Sequence, residues 1–382
     1  PLWYNQETEG VRTDARVCNL SYLQTDWYID QMRRPAYDSP SLPISWTRLQ
    51  YVTGTREGIP VQPDALQQVI DYYKDSPEDL KQMLGDNPYE LKNIIRHWVL
   101  NDNPDLQIFP TDSIVVTVDK EAVKRSGMMI AADSIPDVMH ISLKGKRAVY
   151  KSEMMMLEMI SQANWERPLY MSTTVGPDNY GHLGDNFVQE GLACRITPFD
   201  TKQSGRTIDS ERMYNNMMNK FKYGGLKENP DIYLDETVIR MCYTHRRLFN
   251  QLAQQLLKEG QKDKALKVLQ RAEEEIPGSI VPHEAFYGHS LELADAWLAL
   301  GHKAEAEKLL NAVGQNAREY IEWYLSLNTQ RLLQSSRECL MQIYILNDIA
   351  KTWEPIDKKK AETYRMEVNN YASRCHQRGM SL

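Results

Sequence analysis

A pair of amphipathic helical patterns that meet at Gly260 constrains this chain more than any other feature. Apolar residues recur at helical spacing on both sides of the glycine: Leu252, Leu256 and Leu257 before it, and Ala265, Leu266, Leu269 and Ala272 after it. Glycine permits a tight turn, small alanines let the second helix approach the first, and Pro277 ends it. The pattern predicts a helical hairpin, which needs stacked neighbours to bury its apolar face.

A second hairpin with the same pattern follows. It places Gly301, Ala306, Leu310 and Val313 where Gly260, Ala265, Leu269 and Ala272 stood, 41 residues further on (301 − 260). A degenerate third pair is predicted, with helices over 332–350 and 360–372 and a turn at 353–355. The spacing of glycine, alanine and proline resembles the tetratricopeptide repeat, whose period is about 34 residues. We therefore expect residues 204–382 to form an all-α, TPR-like helical solenoid.

The first half of the chain mixes β-branched runs with helical stretches. Short strands are expected at 15–20, 44–51, 114–118, 140–143, 168–173 and 193–197, and a helix capped by Ser152 is expected over 152–164. Breaks rich in proline, glycine and asparagine divide 63–100 into short helices, which indicates a helical insertion. A strand, a helix and a strand in that order favour a parallel crossover. Residues 1–203 are therefore predicted to form an α/β domain, three-layered with a mostly parallel sheet.

The overall composition excludes several classes of protein. The formal net charge is −7 and no lysine or arginine run is long enough to follow a phosphate backbone, so no nucleic-acid partner is expected. The longest apolar stretches, such as 343–346, fall far short of the ~20 residues of a membrane helix, so no membrane span is expected. The five cysteines lack the spacing of a zinc site or a disulfide framework, and their odd number leaves the redox compartment open.

Two stretches carry a family resemblance: EGVRTDARVCNLSYLQTDWYIDQM at 9–32, and RPLYMSTTVGPDNYGHLGDNFVQEGLACRITPF at 167–199. They are similar to the region that follows the membrane helices in a family of large bacterial multispanning proteins. The membrane half of that family is glycosyltransferase-like and related to the protein O-mannosyltransferases, and a eukaryotic relative mannosylates receptor ectodomains. The resemblance covers the predicted α/β part, and C-terminal helical repeats suit the same layout.

The resemblance implies that this chain is the extracytoplasmic, periplasmic tail of a glycosyltransferase that is tethered to the inner membrane. The chain begins at Pro1 without an initiator methionine or a signal peptide, and we expect it to be a piece of a longer protein. In the family, the acidic residues credited with catalysis lie in a loop between membrane helices, so no catalytic residue is carried over and no cofactor is implied. The implied partners are the membrane-spanning half of the same protein and a protein or peptide acceptor, bound by the helical repeats.

Charged and aromatic residues gather where the first predicted strand ends and the next helix begins. Asp14, Arg16, Asn19, Asp26 and Trp27 belong to this group, and open α/β sheets bind ligands outside the carboxyl ends of their strands. We predict a polar and aromatic face that contacts a sugar, an acceptor or the membrane half. The alternative is a structural ion-pair network, in which Asp26 only complements the helix dipole.

The glycine-rich loop at 176–185 holds a second candidate. Asp178, His182 and Asp185 offer possible ligands for a cation, although a loop lacks the fixed spacing that orders most metal sites. The alternative is that the glycines only turn the chain.

Three functional hypotheses follow. The first is an accessory and recognition region of a membrane-embedded glycosyltransferase, which is not catalytic alone. The second is a TPR-type protein interaction scaffold without glycosyltransferase activity, and the third is a free-standing α/β enzyme fused to a helical module. No nucleophile–base pair or paired carboxylates are recognisable. The spacing from His283 to His289 does not fit an HExxH helix, and the run Met154–Ile160 is expected to be core packing.

Overall fold

The structure is a computed structural model that describes residues 2–128 and 134–380. It divides into two compact units, Pro1–Asp209 and Ser210–Leu382. Within the described ranges, no helix combines the length and the apolar character that crossing a bilayer requires.

The first unit is built from short elements. Its helices are α1 (Leu2–Glu7), α2 (Asp26–Met32), α3 (Arg48–Tyr51), α4 (Ala65–Tyr72), α5 (Pro77–Leu84), α6 (Leu91–Ile94), α7 (Lys120–Ser126), α8 (Lys151–Ala163) and α9 (Thr201–Ser204). Its strands are β1 (Gly58–Pro60), β2 (Ser113–Thr117), β3 (Val138–Ser142), β4 (Ala148–Tyr150), β5 (Tyr170–Ser172), β6 (Phe187–Gln189) and β7 (Ala193–Ile196). Elements this short are stable only through packing between distant parts of the chain.

The predicted three-layer domain with a parallel sheet is wrong. The strands form small antiparallel sheets, β1–β4, β2–β3 and β5–β7–β6, and 56% of the protein is helical. The segment β4–α8–β5 has the order expected of a crossover, but β4 pairs with β1 and β5 pairs with β7. The alternation of strand and helix signals therefore predicted the element types without identifying the strand partners.

Two of the expected strands are also absent. Residues 15–20 run through a bend and irregular backbone into a 3-10 helix, Leu20–Gln24, and residues 44–51 are irregular up to 47 and then form α3. The side chain of Asn19 begins the 3-10 helix by accepting hydrogen bonds from the backbone N–H groups of Ser21 and Tyr22. Because no neighbouring strand pairs with 15–20, this local capping decides its conformation. The cap of α8 was misplaced as well, since Tyr150 rather than Ser152 precedes the helix.

The core of the first unit is organised around α8. The run Met154–Ile160 is buried throughout, which confirms that its methionines are core packing. The antiparallel pair of strands β2 and β3 turns alternate side chains inward, with Ile114 paired to Ile141 and Val116 to Met139.

The second unit has only helices in the part that the structure describes. They are α10 (Ser210–Asn215), α11 (Glu236–Lys258), α12 (Lys262–Glu275), α13 (Ser290–Ala299), α14 (Lys303–Ser326), α15 (Thr329–Gln334), α16 (Ser336–Trp353) and α17 (Lys358–Gln377). The turns after α11 and α13 contain Gly260 and Gly301 at φ +75° and +82°, a conformation that favours glycine. The helical hairpins predicted from sequence are present, whereas the assignment of their repeats to the TPR class stays a prediction.

The loop between the first two hairpins, 276–289, is fixed by one buried arginine. Arg246 on α11 is fully buried and donates hydrogen bonds to the carbonyl oxygens of Ile276, Val281 and Pro282 at 2.8–3.0 Å. The stretch from His283 to His289 lies in this loop and is not helical, which excludes an HExxH arrangement.

Candidate functional site

An open cleft of about 1320 Å³ lies in the first unit. Three segments line it: strand β3 with the chain on either side of it, next to Ser113 of β2; the glycine-rich loop at 176–186; and the chain from Pro198 into α9. Its polar side chains include His140, Lys146, Asp178, Tyr180, His182, Asp185, Asp200, Lys202 and Gln203. A concave surface with several convergent polar groups is the usual setting of a ligand site.

A buried ion pair joins Lys146, which lines the cleft, to Glu153 on α8. The side chain of Glu153 is only 10% exposed, and Lys146 Nζ lies 2.6 Å from its Oε2. A carboxylate at this depth requires a cationic partner, because leaving it unpaired costs on the order of several kcal/mol. The charge of Lys146 is therefore already balanced inside the protein.

The glycine-rich loop packs directly on this pair. Gly181 has φ +57°, and a Cβ at this position would lie 2.7 Å from Met156 Cε and 3.7 Å from Glu153 Cγ. His182 follows with φ +64°, a left-handed conformation that is uncommon outside glycine. Partial burial and the positive charge of Lys146 lower the pKa of His182, so its imidazole is neutral at neutral pH.

The other end of the loop is joined to α9. Lys202 Nζ lies 2.7 Å from Asp185 Oδ2, and this contact raises the pKa of Lys202. The hydroxyl of Thr201 donates to the Asp185 carbonyl oxygen at 2.7 Å. Asp200 caps α9 by accepting from the backbone N–H groups of Lys202 and Gln203. The acidic residues at this end thus hold the local structure while their side chains border the cleft.

The structure places the predicted cation ligands in one cleft but not around one point. Asp178, His182 and Asp185 all line it. Across 2–128 and 134–380, however, no group of three histidine, cysteine or acidic side chains is arranged to hold a metal ion. Two of the three are neutralised, since Asp185 is paired with Lys202 and His182 is uncharged at neutral pH, whereas Asp178 retains its charge.

The predicted polar face near the N-terminus consists of local contacts. Asp14 forms an exposed bidentate ion pair with Arg12, with N–O distances of 2.7 and 2.9 Å, and this lowers the pKa of Asp14. Arg16 donates to the carbonyl oxygen of Gln31 at 3.0 Å. These contacts order the chain that precedes the 3-10 helix and tie it to the end of α2.

The remaining members of the group also have structural partners. The side chain of Asn19 caps the 3-10 helix, and the Asp26 carboxylate accepts from the backbone N–H of Trp27 at 2.7 Å while Arg48 lies 3.6 Å away. Trp27 itself is 55% exposed. None of the five predicted residues lines the cleft, so the two sequence-derived candidates are separate surfaces.

Trp27 belongs to an exposed aromatic cluster. Its ring lies 5.6 Å from that of Tyr22, which in turn lies 6.4 Å from the ring of Trp3 and 5.5 Å from that of Tyr28. Trp3 and Tyr22 are 44% and 41% exposed, whereas Tyr28 is buried and its hydroxyl accepts from the Asn19 N–H at 2.7 Å. The cluster presents stacked ring faces to solvent, a surface suited to a sugar ring or an apolar partner.

Sequence reasoning missed the residues that shape the cleft wall. Lys146, Glu153 and Lys202 come from a turn, the Met-rich helix and the segment into α9, so no local spacing connects them. One signal was available: a glutamate inside the apolar run SEMMMLEMI indicates a buried carboxylate that must have a cationic partner.

A chain of this kind, with a sheet-poor first unit that carries a cleft and an all-helical second unit, can be compared with known families. The family model for TMEM260-associated domain 2 matches residues 1–216, which is more than half of the 382 residues. The chain therefore belongs to the TMEM260-associated domain 2 family, which is tied to a membrane protein, TMEM260, that resembles protein O-mannosyltransferases. Searches of the curated proteins and of the solved structures found no match.

Proposed function

We propose that this chain is the extracytoplasmic accessory and recognition region of a membrane-embedded, protein O-mannosyltransferase-like glycosyltransferase. The observation that carries the proposal is the family match over residues 1–216, a family associated with a glycosyltransferase-related membrane protein. In this proposal the chain is tethered to the inner membrane through the membrane-spanning half of the same protein. It binds the acceptor, and transfer takes place on residues outside this chain.

The electrostatics of the cleft support acceptor binding over donor binding. A sugar donor linked to a polyprenyl phosphate requires cationic groups that are available to its phosphate. In the cleft, Lys146 is paired with Glu153, Lys202 with Asp185 and Asp137 with Lys120, while Asp178 and Asp200 add negative charge. Hydroxyl-rich or peptide ligands suit such a surface better, because carboxylates and amides accept hydrogen bonds from them.

The test is a kinetic comparison in the intact membrane protein. We expect Lys202→Met, which breaks the pair with Asp185, to raise KM for the acceptor about 5-fold or more and to leave KM for the lipid-linked donor unchanged. Lys81→Met is the matched control, since Lys81 forms an exposed ion pair of 2.8 Å with Asp86 away from the cleft. An increased KM for the donor, or equal effects of the two variants, would contradict acceptor binding in this cleft.

The second candidate function is a protein interaction scaffold without glycosyltransferase activity. The helical second unit favours it, since helical hairpins of this kind stack into extended binding surfaces. Exposed Tyr320 and Trp323 on α14 provide aromatic contacts of the type enriched at interfaces. If deletion of the second unit, residues 210–382, from the intact protein leaves transfer unchanged but abolishes partner binding, the scaffold is the better description.

A further inference from the structure

Two cysteines in the second unit lie against each other. Cys339 on α16 and Cys375 on α17 are both fully buried, and their Sγ atoms are 3.9 Å apart. The other cysteines, Cys18, Cys194 and Cys242, have no such sulfur partner in the residues that the structure describes. The arrangement thus resolves the odd cysteine count into one neighbouring pair and three separate thiols.

The pair occupies the open end of the last hairpin. The turn between α16 and α17 lies at 354–357, whereas Cys339 is near the start of α16 and Cys375 near the end of α17. The turn already holds one end of the two helices together. A covalent link between the two sulfurs would therefore close the opposite end, where the last helix of the unit is most prone to fraying.

Polar contacts also hold that end. Arg374 forms a bidentate ion pair with Glu322 on α14 at 2.6 and 2.7 Å, but both side chains are about half exposed. Exposed ion pairs contribute about 0.2–1 kcal/mol each. Arg378 also donates to the carbonyl oxygens of Leu325 and Leu327, both at 2.7 Å. A link between Cys339 and Cys375 would add a covalent constraint to the buried and polar contacts at this end of the hairpin.

We propose that Cys339 and Cys375 form an intramolecular disulfide when the chain resides in an oxidising compartment. The two sulfur atoms must approach from 3.9 Å to about 2.05 Å to form the bond. The oxidant is a disulfide, carried by a dithiol oxidoreductase or by oxidised glutathione. The bond itself is a property of the sulfur geometry, and its presence in the cell rests on the proposed extracytoplasmic location.

The reaction is two successive thiol–disulfide exchanges. The thiolate of one cysteine attacks the oxidant disulfide, which forms a mixed disulfide and releases one thiol. The second cysteine then attacks the protein sulfur of the mixed disulfide and releases the second thiol. The protein dithiol loses two protons and two electrons, and the oxidant disulfide is reduced to two thiols.

Burial dictates when this exchange takes place. Desolvation raises the pKa of Cys339 to about 12 and also raises the pKa of Cys375, so neither is a thiolate while the hairpin is closed. Exchange therefore occurs before α17 docks or during transient opening of the terminal helix. Once α17 has docked, the same burial protects the disulfide from reductants.

The test is oxidative refolding of the whole chain with oxidised glutathione, followed by alkylation under denaturing conditions and mass spectrometry. We expect three alkylated cysteines, a peptide pair joining Cys339 to Cys375, and a Tm about 5 °C or more above that of the reduced chain. Cys242→Ala serves as the matched control and should retain the link, whereas Cys339→Ala and Cys375→Ala should show no oxidant-dependent Tm change. Five alkylated cysteines, or a different pairing in the soluble monomer, would overturn the proposal.

A separate arm tests the location. Rapid alkylation in intact cells reports whether the pair is oxidised in the native protein. If the bond forms in vitro and is present in cells, both the disulfide and the oxidising compartment are supported. If the bond forms in vitro but the cellular protein has free thiols at both positions, the proposed extracytoplasmic location is contradicted while the sulfur geometry stands.

Discussion

The two units of this protein are stabilised in different ways. The second unit consists of helices whose apolar faces recur at helical spacing and pack against neighbours that follow closely in the sequence. The first unit consists of strands of three to five residues and short helices, tied together by polar contacts between distant segments. Glu158 on α8 shows this: its carboxylate accepts from both the N–H and the hydroxyl of Ser45, at 2.8 and 2.6 Å.

This difference explains where the candidate sites lie. The cleft, the aromatic cluster and the left-handed residues of the glycine-rich loop all lie in the irregular first unit. Irregular segments can bring together side chains from several directions, whereas the apolar face of a regular helical hairpin is buried by packing against its neighbours. The family match covers this irregular unit and only the first few residues of the next.

The largest expected change in stability concerns the second unit, in which a single buried arginine fixes the loop between the first two hairpins. We expect Arg246→Met to lower the free energy of unfolding by about 3 kcal/mol, because three carbonyl oxygens lose their donor in a buried setting. Arg240→Met, two turns earlier on α11 and exposed, should change it by less than about 0.5 kcal/mol. Urea denaturation of both variants measures the difference, and equal effects would contradict the role of the buried guanidinium.

A smaller effect tests the packed loop of the first unit. Gly181→Ala introduces a Cβ at φ +57° that meets Met156 Cε, so we expect a loss of about 2 kcal/mol of stability. Gly176 in the same loop has φ −73° and open space around its Cβ position, so Gly176→Ala should be neutral within about 0.5 kcal/mol. Thermal unfolding compares the two, and a neutral Gly181→Ala would show that the loop is not seated on α8.

A pH-dependent change in stability tests the polar contacts that connect distant segments of the first unit. The hydrogen bond from buried Lys151 at 2.6 Å lowers the pKa of Glu57, so the folded state binds this proton less readily than the unfolded state. Ionised Glu57 therefore stabilises the folded state at pH values above its unfolded pKa, near 4.5. This stabilisation is lost as the pH falls below that value. We expect Glu57→Gln to be less stable than the parent at pH 6 and to approach it near pH 3. A stability difference that does not shrink on acidification would refute this linkage.

The smallest stability effect is expected at the exposed aromatic cluster. Trp27→Ala removes a ring that is 55% exposed, so the free energy of unfolding should fall by less than about 1 kcal/mol. If the cluster contacts an acceptor or the membrane half, transfer by the intact protein should decrease although folding is preserved. Unchanged transfer would assign the cluster to local packing with Tyr22.

These contrasts also show how far the sequence alone could lead. Periodicity around Gly260 and Gly301 predicted the hairpins, because helical contacts are local and leave a regular pattern. Strand runs such as 114–118 were recognisable, but their partners were not, because pairing between distant strands leaves no local signature. The parallel sheet was therefore wrong even where its strands were right.

The same distinction applies to the candidate site, where some residues were predictable from the sequence and others were not. The sequence pointed to Asp178, His182 and Asp185 because glycines in a polar loop are visible in one short stretch. It could not bring Lys146, Glu153 and Lys202 to that loop, since those contacts depend on how α8 and α9 fold against it. Site residues that lie in one segment can be recognised from the local sequence. Site residues that come from several segments can be recognised only once the fold is known.

The measurement that tests the central claim most directly is a transfer assay with three preparations: this chain alone, the membrane-spanning half alone, and the two in one polypeptide. Each is incubated with a polyprenyl-phosphate sugar and a protein acceptor, and the product is detected by mass spectrometry. The account predicts that this chain alone transfers no sugar and that its presence lowers KM for the acceptor in the joined protein. Sugar transfer by this chain alone, or an acceptor KM that is unchanged by its removal, would contradict the account.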